Sequence, residues 1–481
     1  MLVLEVSALD QTLSRPRSIF VFVLACILFL ILGYAYVSVL GMGWRASFYI
    51  HGAILFFAGL AVFMKDAKSF LLFVLVFAGT FGFGRHLVYE KVPFESVLFA
   101  AGIRIDTVDV ILLLLYAHWA LSLGTGEKGE QAATLGGWLG ALFLAWVACL
   151  FTLSVGVAKI SRFGFYETFA IAKGFLLFLY LVNNVKTRRD FKIIVYGLLA
   201  IGVVQGLYLT FQFITKTNYT IYGEVAGAAE TGAFRSRGFF GSFDNHAIFL
   251  ATILPIFLAA FFVYTQPLRR LIALASMFII LFGATATRAR IALASIGISA
   301  VIVLIVSYRR RRIAAHTLVL ALIVCVLVGM MFLPMVYQRF ETAPYGEERG
   351  PLMATAFSMF ADHPIFGVGP NNYNFFVEQY VPVRYRGQWE YTVHNEYLLR
   401  MAETGILATA LYYSMIIMAV KKLAQSIKSE DGLIYSVSVG LFSALLASIP
   451  HRFVSIYHHE QYFSLFCIIL ALAYIMGRLK E

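Results

Sequence analysis

Charge is scarce in this chain. Asp, Glu, Lys and Arg make up 13% of its 481 residues, against 60% hydrophobic residues and a mean hydropathy of +0.81. A soluble globule has an apolar share nearer about 45–50%, so that class is excluded. Cysteine is almost as sparse: Cys26, Cys149, Cys325 and Cys467 each sit in an apolar run with no CxxC or paired spacing. That argues against a disulfide framework or a zinc site. Internal repeats are also missing by eye, whereas a secondary transporter often shows two matched halves.

What is present is a series of apolar runs, mostly 16 to 25 residues long, separated by charged punctuation. That is the helical-span signature, not the weak alternation of an outer-membrane barrel. The fold expected is therefore an all-α polytopic membrane protein. Candidate spans fall at 18–40, 49–64, 69–84, 107–123, 135–155, 166–185, 193–215, 246–264, 268–286, 290–307, 314–334, 396–420, 432–450 and 459–478, with 268–307 also readable as one re-entrant unit. The first is too long for a signal-peptide core and lacks a clear cleavage site, so it reads as retained. Alternation from an inner N-terminus puts the compact basic clusters, such as Lys186 to Arg189, Arg269-Arg270, Arg309 to Arg312 and Lys421-Lys422, on the inner side. This agrees with the positive-inside rule and places both termini inside.

On that topology the inner loops and termini hold eleven arginines and nine lysines, while the outer side holds fourteen arginines and four lysines. Outer basic residues oppose the topology signal, and a guanidinium fork suits bidentate phosphate binding better than a lysine point charge. Pairing with outer acids such as Glu341, Glu347 and Glu348 is the bland alternative for any one of them. The chain divides into a transmembrane bundle over 1–334 with an outer loop at 216–245, a large outer loop over 335–395, and C-terminal spans over 396–481. The 335–395 loop carries Arg339, Arg349, Arg384 and Arg386 and a helical run at 351–360. It is far longer than the roughly 15 residues at which a loop becomes suspect as functional or disordered, and too aromatic for disorder.

Three constellations stand on the outer side. The first is Phe234-Arg235-Ser236-Arg237-Gly238, running on to Asp244-Asn245-His246. Arginines beside glycine ahead of a helix make an anion cradle, with Asp244 or Asn245 able to cap the helix; an ordinary turn with snorkelling arginines is the alternative. The second is Thr287-Arg288-Ala289-Arg290, between two spans, where charge is costly unless it faces a cavity or partner. Two residues apart on a helix, the arginines face different sides, and Arg288 is the favoured one. The third is His394-Asn395 before span 396–420. A histidine of pKa about 6.5 can take a proton from a hydroxyl nucleophile, or merely cap a helix. His363, His451, His458 and His459 read as turn or interfacial residues. Asp106 and Asp109, at i, i+3 spacing, read as first-turn charge, not as a metal site.

In this order the segments resemble the O-antigen ligase and polymerase superfamily of bacterial membrane glycosyltransferases. The pattern is Arg235-x-x-Gly238 with Gly241 and Asn245-His246-Ala247, then Thr287-Arg288 where the family has Ser-Arg, then Arg349, Asp362-His363-Pro364, Gly367-x-Gly369 and Asn372, and last His394-Asn395 with Glu403-x-Gly405. The resemblance covers roughly 230–410. It implies about 14 spans (12–14), a GT-C-like fold with a helical extracytoplasmic loop domain, and a site on the periplasmic face of the inner membrane. It implies transfer of a glycan from undecaprenyl diphosphate to an acceptor hydroxyl such as lipid A–core, without metal or cofactor. Membrane lipid is the other partner, and nucleic acid is not one. Arg235 and Arg288 would bind the diphosphate and His394 would be catalytic. Arg237, Arg290, Arg349 and Asn395 would bind substrate in support. In-line attack would invert the anomeric centre, and preorganised arginines would stabilise the leaving diphosphate. The rivals are an O-antigen or exopolysaccharide polymerase, a protein O-oligosaccharyltransferase and, from another class, a lipid or anion transporter. Acceptor choice is expected in 380–389.

Overall fold

The computed structural model describes residues 67–81, 84–92, 98–124, 133–220, 223–224, 234–239, 243–342, 346–382, 392–456 and 460–479. The expected spans 18–40 and 49–64, Arg384, Arg386, His458, His459 and most of the 380–389 segment lie outside the described residues.

In chain order the elements are α1 (Ala67–Phe81), β1 (Gly84–Tyr89), β2 (Gly102–Asp106), α2 (Thr107–Gly124), α3 (Gly137–Gly156), α4 (Ser161–Asn184), α5 (Arg188–Thr215), β3 (Tyr219–Thr220) and β4 (Gly223–Glu224). They continue as α6 (Phe243–Val263), α7 (Pro267–Ala286), α8 (Arg290–Arg309), α9 (Ala315–Thr342), α10 (Gly346–Asp362), α11 (Tyr373–Tyr380), α12 (Glu396–Ser426), α13 (Gly432–His451) and α14 (Glu460–Met476). Every expected span from 69–84 onward coincides with one of these helices. Eight of them, α3 to α8 with α12 and α13, are long and apolar enough to cross a membrane. Without water to satisfy the backbone, a spanning segment must bond internally, which these runs do as helices.

The boundaries move in instructive places. α9 does not stop at 334 but continues to Thr342, and the helical run at 351–360 is the end of α10, which takes Pro351 inside it. The stretch 268–307 is two 20-residue helices broken at 287–289; α7 packs on α5 and α6, whereas α8 packs on α6 and α13. Two short antiparallel pairs, β1–β2 and β3–β4, interrupt the all-α pattern. Asp106 is the last residue of β2 and not helical. It and Asp109 converge on Lys173 Nζ at 3.6 and 2.8 Å, so their charge is taken up by an ion-pair cluster.

α6 sits at the centre, packed against α5, α7, α8 and α13, with its residues from His246 to Ala260 buried. α14 is buried almost continuously from Leu465 to Ala473, as expected of a helix apolar all round. At one end of the bundle the basic loops interlock: Arg312 Nη2 meets Glu430 at 2.7 Å and Arg188 pairs with Asp431, whose carboxylate caps α13. The breaks before α6, α8 and α12 lie at the opposite end.

Candidate active site

The turn between α7 and α8 is held by a hydroxyl. Thr287 Oγ1 donates to the Ala284 carbonyl at 2.7 Å and accepts from the Ala289 N–H at 3.2 Å, with the side chain fully buried. Serine carries the same donor and acceptor, so it would hold this turn in the same way. The turn puts Arg288 at φ 55, an uncommon region for a residue with a side chain. Arg288 is thus in a break, and Arg290 is the first residue of α8, so the expectation that both lie along one helix is corrected.

Arg235 docks on this turn. Its Nε donates to the Thr287 carbonyl at 3.0 Å, the Ser236 N–H donates to the Ala286 carbonyl at 3.0 Å, and its guanidinium stacks 3.3 Å from the Phe243 ring centre. Asp244 stands 3.9 Å from Arg235 Nη2. α6 starts at Phe243, so Asp244 lies in the first turn, where its charge favours the helix N-terminus. Gly238 exchanges two bonds with Gln212, and a Cβ there would sit 2.6 Å from the His246 ring. This accounts for the pairing of Gly238 with His246 in the motif. The Arg237 N–H donates to Asn218 Oδ1 at 3.2 Å, and its side chain is half-buried.

His394 is exposed at the start of α12. The capping role belongs to Asn395: its amide oxygen accepts from the Leu398 N–H at 3.0 Å while the residue is buried. Asn395 thus fixes the backbone that presents His394. Of Arg349 only the backbone, on α10, is described.

The glycine motifs lock the 335–395 segment to the bundle. α12 is broken at Gly405 (φ 65, ψ −173), a backbone region essentially reserved for glycine. Carbonyls released by the break are satisfied by Val368 N–H on Ala402 and Gly369 N–H on Glu403, at 2.9 and 2.8 Å, and Ile406 N–H returns to Pro364. A Cβ at Gly405 would lie 2.1 Å from the Ile365 carbonyl oxygen. Gly405→Ala should therefore cost more than about 3 kcal/mol, seen as a collapse of the thermal midpoint in detergent. Beyond this strap, Asn371 bonds Phe99 N–H and the carbonyls of Ala100 and Phe163, and Asn372 bonds Ile160. Next to them Tyr373 has its phenol pushed well above the ordinary value, first by burial and then by the Glu403 charge.

A buried charge network lies under His394. Glu396 and Glu167 are fully buried, Arg400 and Arg452 nearly so, and Glu403 is also buried. Arg452 Nη1 meets Glu396 Oε1 at 2.7 Å and Tyr412 Oη at 3.0 Å; Arg400 meets Glu167 at 3.4 Å and Glu396 at 3.8 Å, with its guanidinium 4.5 Å from the Tyr412 ring centre. By topology alone both arginines count among the outer ones available to phosphate. In the structure they neutralise carboxylates, as do Arg104 with Asp106 and Arg162 with Glu90. The bland pairing thus holds for these four, with different acids from the ones expected.

Arg235 and Arg288 are therefore brought side by side, and His394 stands at the same end of the bundle, tied to α13 through the Glu396 N–H on the Arg452 carbonyl. Sequence reasoning missed Glu167, Glu396, Arg400 and Arg452. The one signal available was their cost inside apolar runs.

The fold and this end of it define a polytopic helical membrane protein with two adjoining arginine segments and an exposed histidine over a buried cluster of glutamates and arginines. Residues 275–413, which include Arg288, Arg290, His394 and Gly405, match the family model described as O-Antigen ligase, and this match supports the O-antigen ligase superfamily. Comparison with curated proteins finds no match.

Proposed function

We propose that this chain is a membrane glycosyltransferase of the ligase or polymerase type, moving a glycan from undecaprenyl diphosphate to an acceptor hydroxyl, with lipid A–core as the first acceptor to test. The observation that carries this is the docking of Arg235 on the Thr287 carbonyl, beside Arg288 in its left-handed turn. One arginine docked on the turn and a second within it gather two cationic side chains, which suits a diphosphate leaving group, because preorganised donors act most strongly where charge develops. Arg235, Arg288 and His394 are the core of the site, with Arg237, Arg290, Arg349 and Asn395 in support. His394 Nδ1 or Nε2 takes the acceptor proton as the hydroxyl oxygen attacks C1; the C1–O bond to phosphate breaks and the pair stays on the diphosphate, inverting the anomeric centre.

With this goes a bundle of about fourteen spans, GT-C-like, in the inner membrane. The site end then faces the periplasm, the basic loops face the cytoplasm, and residues 335–395 form a periplasmic cap between the 1–334 and 396–481 bundles. The basic clusters gathered at the far end of the helices support this orientation.

The test is a purified chain given lipid-linked glycan and acceptor. Formation of linked product with release of undecaprenyl diphosphate is expected; no transfer to any glycan, core or peptide hydroxyl would remove the proposal. A deletion strain separates the subclasses. A ligase mutant accumulates polymer on the lipid carrier, whereas a polymerase mutant leaves single repeat units.

A further inference from the structure

The end of α13 touches both halves of the proposed site. Ser295, five residues past Arg290 on α8, places Oγ 3.1 Å from His451 Nδ1. The next residue, Arg452, accepts the Glu396 N–H on its carbonyl at 2.9 Å and donates from Nη1 to Glu396 Oε1 at 2.7 Å. Glu396 lies two residues past His394. Tyr412 Oη closes the set, bonding Glu396 Oε1 and Arg452 Nη1 at 3.0 Å each.

We infer that His451-Arg452 is a positioning clamp that sets the separation between the Arg288 turn and His394. One residue grips the helix that follows the Arg288 turn, and its neighbour grips the first turn of the helix that follows His394. Neither needs to touch substrate. Both grips are buried, so each fixes a side-chain geometry that solvent does not loosen. This rests on the reading that Arg288 and His394 act on one substrate. Catalysis by two groups from different helices depends on their spacing, and a misplacement of about 1 Å costs about 10²-fold. The donor's grip on the arginines, by contrast, does not involve α12, so the clamp should act on kcat and leave donor KM alone.

The experiment uses the full chain in lipid nanodiscs with lipid-linked glycan as donor. It measures kcat, donor KM and thermal midpoint for Ser295→Ala, Arg452→Lys, Arg452→Gln and His394→Ala. Expected are a kcat loss of about 10²-fold for Arg452→Gln, about tenfold for Arg452→Lys and about threefold for Ser295→Ala, each with donor KM within about twofold. Partial recovery from Gln to Lys marks the charge as the operative feature. Should Arg452→Gln not fold, Ser295→Ala and Arg452→Lys decide. Wild-type kcat in both, or a loss that only tracks the loss of folded protein, overturns the clamp. His394→Ala separates the two levels: if it retains full turnover, the proposed mechanism falls and the clamp with it; if it is inactive while the clamp variants turn over normally, the clamp alone falls.

Discussion

His394→Ala should lower glycan transfer by about 10²- to 10⁴-fold, and Arg288→Ala by about 10²- to 10³-fold, with folding unaffected in the first case. His394 is exposed and the cap of α12 is made by Asn395, so the cap survives loss of the ring. Such losses correspond to about 3–5 kcal/mol of transition-state stabilisation for a group that acts as general base. Arg235→Lys is the instructive companion. Lysine keeps the charge but loses the Nε donor on the Thr287 carbonyl and the plane that stacks on Phe243, so about tenfold should go despite the conserved charge. Transfer assayed with lipid-linked donor checks all three. Near wild-type turnover for both His394→Ala and Arg288→Ala would end the mechanism, and continued movement of anionic lipid without product would point to a transporter.

Arg400→Met should cost about 3–5 kcal/mol of stability, measured as a fall in thermal midpoint and in monodisperse protein recovered from membranes. Arg400 is the cation between Glu167 and Glu396, all of them nearly inaccessible to water. Taking it away leaves charge uncompensated in an apolar interior, and that penalty, more than the lost attraction, sets the size of the effect. Glu167→Gln added to Arg400→Met should restore part of the loss, since one of the stranded charges is gone. A double variant no better than the single would show that Glu167 carries no charge for Arg400 to balance.

The helices were legible because a run of apolar residues long enough to cross a bilayer has few other conformations open to it, and the charged stops fall where the helices end. That a span ends near Thr287 and another begins near His394 was legible, but the left-handed turn at Arg288 was not. What stayed hidden was non-local. Arg400 and Arg452 lie near span ends, where position along the chain makes them look like rim charges; only the approach of α4, α12 and α13 turns them inward. The break at Gly405 was equally opaque, because one glycine in an apolar pattern reads as an ordinary helix position until the strap at 364–369 is seen beside it. The β1–β2 pair was lost for want of length: five or six residues between two greasy segments carry too little period to register.

Because the strap's partners lie on both sides of Gly405, the segment that carries the strap and the first turns of α12 form one unit of inheritance. A chimera that exchanged residues up to Asn395 would pair a foreign strap with a native break, leaving two carbonyls unanswered and a glycine facing the wrong peptide. Recombination among relatives, natural or designed, is therefore expected to tolerate crossovers after Ile406 and to reject those just before Glu396.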